Sequence, residues 1–219
     1  MRLLPPSVRL VYFDAVGTLL RPEPPVAQAY QRIGQRYGCP RSVEEIRRAF
    51  HHALADQEAY DAANGYRTDE ERERQRWRAI VSAVLPEAQD AEACFAELWD
   101  HFAQPHHWRL EPGILEVLAH LARKGLQLGL ASNFDNRLIG LVQALPDLCD
   151  YLDSVWVSSQ VGWRKPAAEF YAALGEGYDP QELLMVGDDR VNDYEGARAA
   201  GWHALLLDET TTLAQLLCF

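Results

Sequence analysis

The sequence predicts an α/β fold: a parallel sheet covered by helices, interrupted after its first strand by an all-helical insertion. Three observations predict it. Residues 8–20 and 109–219 alternate short, continuously apolar runs with helical stretches, the pattern of strands buried on both faces and the helices between them. Residues 21–108 contain no convincing strand. Polar residues with useful chemistry stand at the ends of the apolar runs, and a parallel sheet gathers its ligands at the carboxyl ends of its strands.

The first strand is VRLVYF, residues 8–13, and it ends at Asp14. Pro22, Pro24 and Pro25 lead into the insertion. There, VAQAYQRIGQRYG sets Val26, Tyr30, Ile33 and Tyr37 on one helical face, with Gly38 suited to the helix end. Ser42 followed by Glu45 reads as a capping box, as does Thr68 followed by Glu71. The charged run ERERQRWR (71–78) reads as a solvated helix face rather than a binding patch. A further helix runs through AEACFAELWDHF. After residue 108 the strand-like runs LQLGLAS, SVWVSS, ELLMVG and HALLL alternate with the helical stretches ILEVLAHLARKG, RLIGLVQAL, AAEFYAAL and DYEGARAAG. No internal repeat or low-complexity segment is present.

Composition narrows the function. Apolar residues are 48% and charged residues 24% of the 219, a globular balance with room for one large domain or one domain plus a smaller one. The formal net charge is −11, which argues against nucleic acid or an anionic membrane as partner, because both require a basic surface. Cys39, Cys94, Cys149 and Cys218 are scattered with no C-x-x-C pair, so neither a disulfide scaffold nor a zinc site is expected. The N-terminus lacks the features of a signal peptide, and no apolar run is long enough to span a bilayer. A cytoplasmic location is the expectation.

Four strand ends carry the chemistry. Asp14 closes the first strand, and Ser132 and Asn133 close LQLGLASN. Lys165, one of only two lysines, stands in GWRKP just before a helix expected to start near Pro166. LLMVGDD ends at Asp188 and Asp189, with Asp193 one turn further on. Carboxylates crowded at one sheet edge repel unless a cation sits among them. Oxygen ligands of this kind suit Mg²⁺, with one or two carboxylates plus substrate oxygens. Such a metal would let Asp14 approach an anionic phosphorus, and Lys165 and Ser132 would hold the phosphoryl oxygens. Asp14 is then a candidate nucleophile.

The chain here resembles the haloacid dehalogenase-like (HAD) hydrolase superfamily. The matching pieces are FDAVGTLL, LASN, the lysine of WRKP and VGDDRVNDYEGARAAG, in the family's order. The resemblance implies a Rossmann-like core at residues 1–20 and 109–219 and a C1-type helical cap at 21–108. It implies Asp14 as nucleophile and metal ligand, and the Val16 backbone carbonyl as a second metal ligand. Ser132 and the Asn133 backbone would bind phosphoryl oxygens, and Lys165 would neutralise the phosphoaspartate. Asp188 and Asp193 would hold Mg²⁺, and Asp189 would assist the metal or tether a loop. The implied activity is Mg²⁺-dependent hydrolysis of a small phosphorylated substrate through an aspartyl-phosphate.

Val16 departs from the pattern. Phosphatases of the family carry an aspartate there, as acid for the leaving group and base for water. Its loss costs ~10²–10⁴ in rate where protonation is needed. An acyl or aryl phosphate would tolerate that loss. A dehalogenase would dispense with the acid, but relatives of that kind use no metal and lack paired acids like Asp188 and Asp193. A phosphonatase would need a cap lysine, and residues 21–108 contain none. A non-catalytic protein that binds a phosphorylated ligand or another protein is the remaining alternative.

Taken singly, each residue also has a plain reading. Asp14 could form a turn, Ser132 and Asn133 a cap, and Asp188, Asp189 and Asp193 could favour a helix N-terminus. The four pieces in order outweigh these. Gly17 and Gly187 read as backbone devices. His51–His52 and His106–His107 read as surface or linker residues, since neighbours in sequence point apart. The six tryptophans read mostly as packing, with Trp108 and Trp163 placed near the expected cleft.

Overall fold

The computed structural model describes residues 4–217; Cys218 lies outside them. Five parallel strands form the main sheet: β1 (Leu10–Phe13), β4 (Gln127–Ser132), β5 (Ser154–Val157), β6 (Leu183–Gly187) and β7 (His203–Leu206), in the order β5-β4-β1-β6-β7. All five were legible as apolar runs. β1 alternates as a two-sided strand must. Val11 and Phe13 enter the apolar cluster on one face, which includes Leu118, Leu128 and Leu184. Leu10 and Tyr12 enter the cluster on the other, with Phe170, Tyr171 and Trp202. Helix α5 (Ile114–Arg123) shows the matching logic, burying Ile114, Val117, Leu118 and Leu121 at helical spacing against that first cluster.

Residues 21–108 hold four long helices: α1 (Val26–Arg36), α2 (Val43–Ala63), α3 (Glu70–Val84) and α4 (Ala91–His101). They share an apolar cluster of their own, built on Tyr30, Ile33, Ile46, Ile80, Phe95 and Leu98. Ser42 and Glu45 form the expected capping box at the start of α2.

The structure departs from the sequence reading in four places. Two short strands, β2 (Leu20–Pro22) and β3 (Trp108–Leu110), pair antiparallel at the two ends of the insertion. At three residues each, one of them closing on a proline, they are too short to show a period. The cap of α3 is Asp69, whose side chain accepts from Arg72 N, and not Thr68. The Thr68 hydroxyl instead donates to Glu73 Oε1 at 2.8 Å. The run 71–78 is not a simple solvated face, because Glu73 and Arg76 are buried. The segment after β6 begins with a π-helical turn, Arg190–Glu195, before a short α-helix, Gly196–Ala199. Among the described residues, no helix is long and apolar enough to cross a membrane.

Candidate active site

Strand register explains why the polar residues meet. Phe13 lies level with Leu130 of β4 and Val186 of β6. Asp14 therefore follows at the level of Ala131 and Gly187, with Ser132 and Asp188 one residue beyond. The Asp14 N–H donates to the Val186 carbonyl at 2.9 Å, which fixes the strand end. Asp14, Val16, Ser132, Asn133, Lys165, Asp188, Asp189 and Asp193 all line one cavity of about 320 Å³. It lies between the sheet edge and helices α1–α3.

Lys165 is the hub. It is buried, and its Nζ donates to Asp14 Oδ1 at 2.7 Å, Asp193 Oδ1 at 2.5 Å and the Ala131 carbonyl at 2.8 Å. Those three acceptors match the three protons of an ammonium. Burial alone would push its pKa down, but the Asp14 and Asp193 carboxylates outweigh it and hold Lys165 above its ordinary range. Burial pushes the Asp193 carboxyl up, Asp14 adds to this and Lys165 opposes it. The two tendencies pull the pair in opposite senses. With an ammonium at 2.5 Å, the ion pair is the state that the contacts support.

Asp188 is also shifted upward, by partial burial first and by the Asp14 charge next. Carboxylate oxygens of Asp14, Asp188 and Asp193 lie within 4.8 Å of one another. Three hard oxygen donors this close, two of them with raised pKa, fit a small divalent cation such as Mg²⁺. Two glycines make room for the cluster. A Cβ on Gly17 would stand 2.3 Å from Asp188 Oδ2, and one on Gly187 would stand 2.1 Å from Asp193 Oδ2.

The remaining predicted residues have definite partners. The Asn133 side chain clamps the Lys165 backbone from both sides: Nδ2 donates to the Lys165 carbonyl at 2.9 Å, and Lys165 N donates to Oδ1 at 2.7 Å. The Asp189 carboxylate accepts from Val191 N, Asn192 N and Asn192 Nδ2. Val16 is half-buried at the cavity edge, packed against the main apolar cluster. Trp108 lines the cavity, whereas Trp163 does not and instead carries Arg67 over its ring at 4.8 Å. His51, His52 and His106 are exposed, but His107 stacks on the buried His101 at 3.7 Å between ring centroids.

Several residues at this site were not picked out in the sequence. Arg137 forks onto Asp135, from Nε to Oδ1 at 2.8 Å and from Nη2 to Oδ2 at 2.7 Å. Its remaining nitrogen donates to the Trp99 carbonyl of α4 at 3.1 Å, tying β4's end to the helical insertion. Arg164 pairs with Glu73 and lies 3.5 Å from Asp61, while Arg76 and Arg72 also pair with Asp61. This buried network spans the insertion and the loop that carries Lys165. Removing one member would strand a buried charge, at a cost of roughly 3–5 kcal/mol. The only sequence signal for it was a charged run, which is ordinarily solvated.

The comparisons with known proteins agree with this architecture. The chain is 31% identical over 212 residues to human haloacid dehalogenase-like hydrolase domain-containing protein 3, covering 92% of this chain and 82% of that protein. L-2-haloacid dehalogenase from Xanthobacter autotrophicus, with chloropropionic acid covalently bound, superposes with a TM-score of 0.71 at 23% identity over 93% of this chain and 80% of that one. A HAD phosphatase from Thermococcus onnurineus superposes with a TM-score of 0.62 at 24% identity over 92% of this chain and 86% of that one. The family model for haloacid dehalogenase-like hydrolases matches residues 8–201, and the chain belongs to that family.

Proposed function

We propose that the chain hydrolyses a small phosphorylated compound with Mg²⁺, through an aspartyl-phosphate on Asp14. The observation that carries this reading is the Lys165 ammonium, buried between Asp14 and Asp193 with Asp188 beside them. One buried cation among three carboxylates suits an anionic substrate that arrives with a divalent metal. The paired acids Asp188 and Asp193 favour phosphoryl transfer over carbon–halogen hydrolysis.

Asp14, Asp188 and Asp193, with the Val16 carbonyl, would hold Mg²⁺, which when bound offsets the charge that keeps a carboxylate away from a phosphoryl group. An Asp14 oxygen bonds to phosphorus as the bond to the leaving oxygen breaks. The Ser132 hydroxyl and the Asn133 backbone N–H hold the phosphoryl oxygens, and the Lys165 ammonium, bonded to Asp14, offsets their charge. Water then attacks the phosphorus of the Asp14 acyl phosphate, which returns the carboxylate and releases phosphate. Val16 has no proton to give, so the leaving oxygen departs as an anion or takes a proton from water. Substrates with weakly basic leaving groups are therefore favoured.

Residues 21–108 act in this reading as a cap over the core at 1–20 and 109–219. The paired strands β2 and β3 join both connections, so hinge closure over the cavity excludes water. The net charge of −11 argues against nucleic acid or an anionic membrane as the main partner, and this reading takes the setting as cytoplasmic. The test is phosphate release from acyl, aryl and alkyl phosphates, with and without Mg²⁺, in the wild type and Asp14→Asn. Mg²⁺-dependent release that disappears in Asp14→Asn supports the reading. Silence across all three classes with Mg²⁺ bound overturns it.

A further inference from the structure

The cavity wall opposite the carboxylates is built of rings. Trp77 and Phe50 lie 6.4 Å apart between centroids, Phe50 and Tyr30 5.3 Å, and Tyr30 and Phe102 6.2 Å. Phe102 and Trp108 follow at 6.2 Å, and Trp108 and Phe134 at 6.3 Å. All six rings line the cavity, so they form one unbroken belt from the insertion down to the end of β4. Val26 and Leu54 extend the apolar surface.

The polar groups near this belt are mostly committed. Arg76 pairs with Asp61, Arg137 with Asp135, and Arg164 with Glu73. Glu58 is the remaining charged group on the insertion's wall. A sugar or polyol placed here would lose hydrogen bonds to water and recover few. An arene would bury its faces against rings, where offset and edge-on contacts add to area burial. A cavity of about 320 Å³ is at the small end for ligand sites, so it suits a compact ring system and not a peptide.

Val16 points independently to the same class. Without an acid at that position, the leaving oxygen should be weakly basic, and phenol oxygens are far less basic than alkoxides. We propose that the substrates are aryl phosphates, phosphate monoesters of phenols, with the aromatic body against the ring belt. This rests on the phosphohydrolase reading. Asp14 bonds to phosphorus, the P–O(aryl) bond breaks, and the electron pair leaves on the phenolate oxygen, which is protonated by water. A second water attacks phosphorus in the Asp14 acyl phosphate, freeing the Asp14 carboxylate and inorganic phosphate.

The experiment separates pocket from chemistry. Calorimetry of the full chain with Mg²⁺ compares phenylphosphonate with methylphosphonate, neither of which has a leaving group. Phenylphosphonate should bind about tenfold tighter or more, and Trp77→Leu should shrink that advantage severalfold. Phe50→Leu provides the same reading if Trp77→Leu fails to fold. In parallel, kcat/KM is compared for phenyl phosphate, acetyl phosphate, glycerol 3-phosphate and glucose 6-phosphate. Phenyl phosphate should exceed the glycerol and glucose esters by ~10² or more. Equal binding of the two phosphonates, or faster turnover of the polyol esters, overturns the aryl assignment while acetyl phosphate turnover leaves the hydrolase standing. Phenylphosphonate preference without turnover of any ester removes the hydrolase and keeps the ligand class.

Discussion

Gly17→Ala should separate metal binding from folding. Gly17 has φ +90°, a conformation that costs a residue with a side chain ~1–2 kcal/mol. The new Cβ would also stand 2.3 Å from Asp188 Oδ2 and 2.8 Å from its Cγ. Ordinary contact begins near 3.4 Å, so the carboxylate must withdraw by about 1 Å. It has room to do so, because Asp188 is exposed to the open cleft and the Thr18 hydroxyl holds its Oδ1 only at a long 3.5 Å. The fold therefore survives, with the thermal midpoint lowered by about 3–6 °C for a chain of this size. The metal site does not survive intact, since a ligand misplaced by this much costs roughly 10–100-fold in affinity. Calorimetric titration with Mg²⁺ and a thermal melt on the same sample read both effects. Asp188→Ala should match the affinity loss without the strain at residue 17. A folded Gly17→Ala protein that binds Mg²⁺ with wild-type affinity would refute the placement of Asp188 in the metal shell.

Three further outcomes follow from named contacts. Val16→Asp should raise kcat/KM on alkyl phosphates by up to ~10², and less on aryl and acyl phosphates; an equal gain on every ester, or none in a folded, metal-bound variant, would show that the missing acid is not limiting. Asn133→Ala removes both hydrogen bonds to the Lys165 backbone, worth ~2 kcal/mol, and should lower kcat more than it weakens Mg²⁺ binding; retained kcat would separate Lys165 placement from Asn133. Burial, then His107, Arg32, His106 and Arg36, hold His101 down at about 4, so the folded state resists a proton that the unfolded state accepts near 6.5. Stability is then full above pH 6.5 and falls by roughly 2 kcal/mol as pH drops towards 4; denaturation midpoints in His101→Phe should lose that slope, and an unchanged slope would acquit His101.

The sheet was legible because its strands are buried on both faces, and burial writes itself as continuous apolar runs such as LVYF and LLMVG. The site was legible for a related reason. A carboxylate closing such a run, as Asp14 does, has little reason to be there unless it serves the sheet edge. Gly17 and Gly187 were read as backbone devices, and the structure adds the carboxylates they make room for. What stayed hidden depends on pairing at a distance. Asp61, Glu73, Arg76 and Arg164 neutralise one another across as many as 103 positions of chain, and no local pattern distinguishes them from solvated charges. Thr68 misled as a cap because its hydroxyl is taken by Glu73, leaving the role to Asp69. The ring belt was equally invisible, since Tyr30 and Trp77 read as packing, and nothing singled out Phe50, until their helices are placed over the cavity that holds Asp14.

The most direct measurement is the fate of Asp14 during turnover. Wild-type protein is mixed with Mg²⁺ and an aryl phosphate in water labelled with heavy oxygen, quenched in acid and digested for mass spectrometry. The peptide that contains Asp14 should gain the mass of one phosphoryl group in the quenched sample. The heavy oxygen should appear in the released phosphate and not in the Asp14 carboxylate, because water attacks phosphorus. Phosphate release with no Asp14 adduct, or heavy oxygen in the Asp14 carboxylate, would contradict the account.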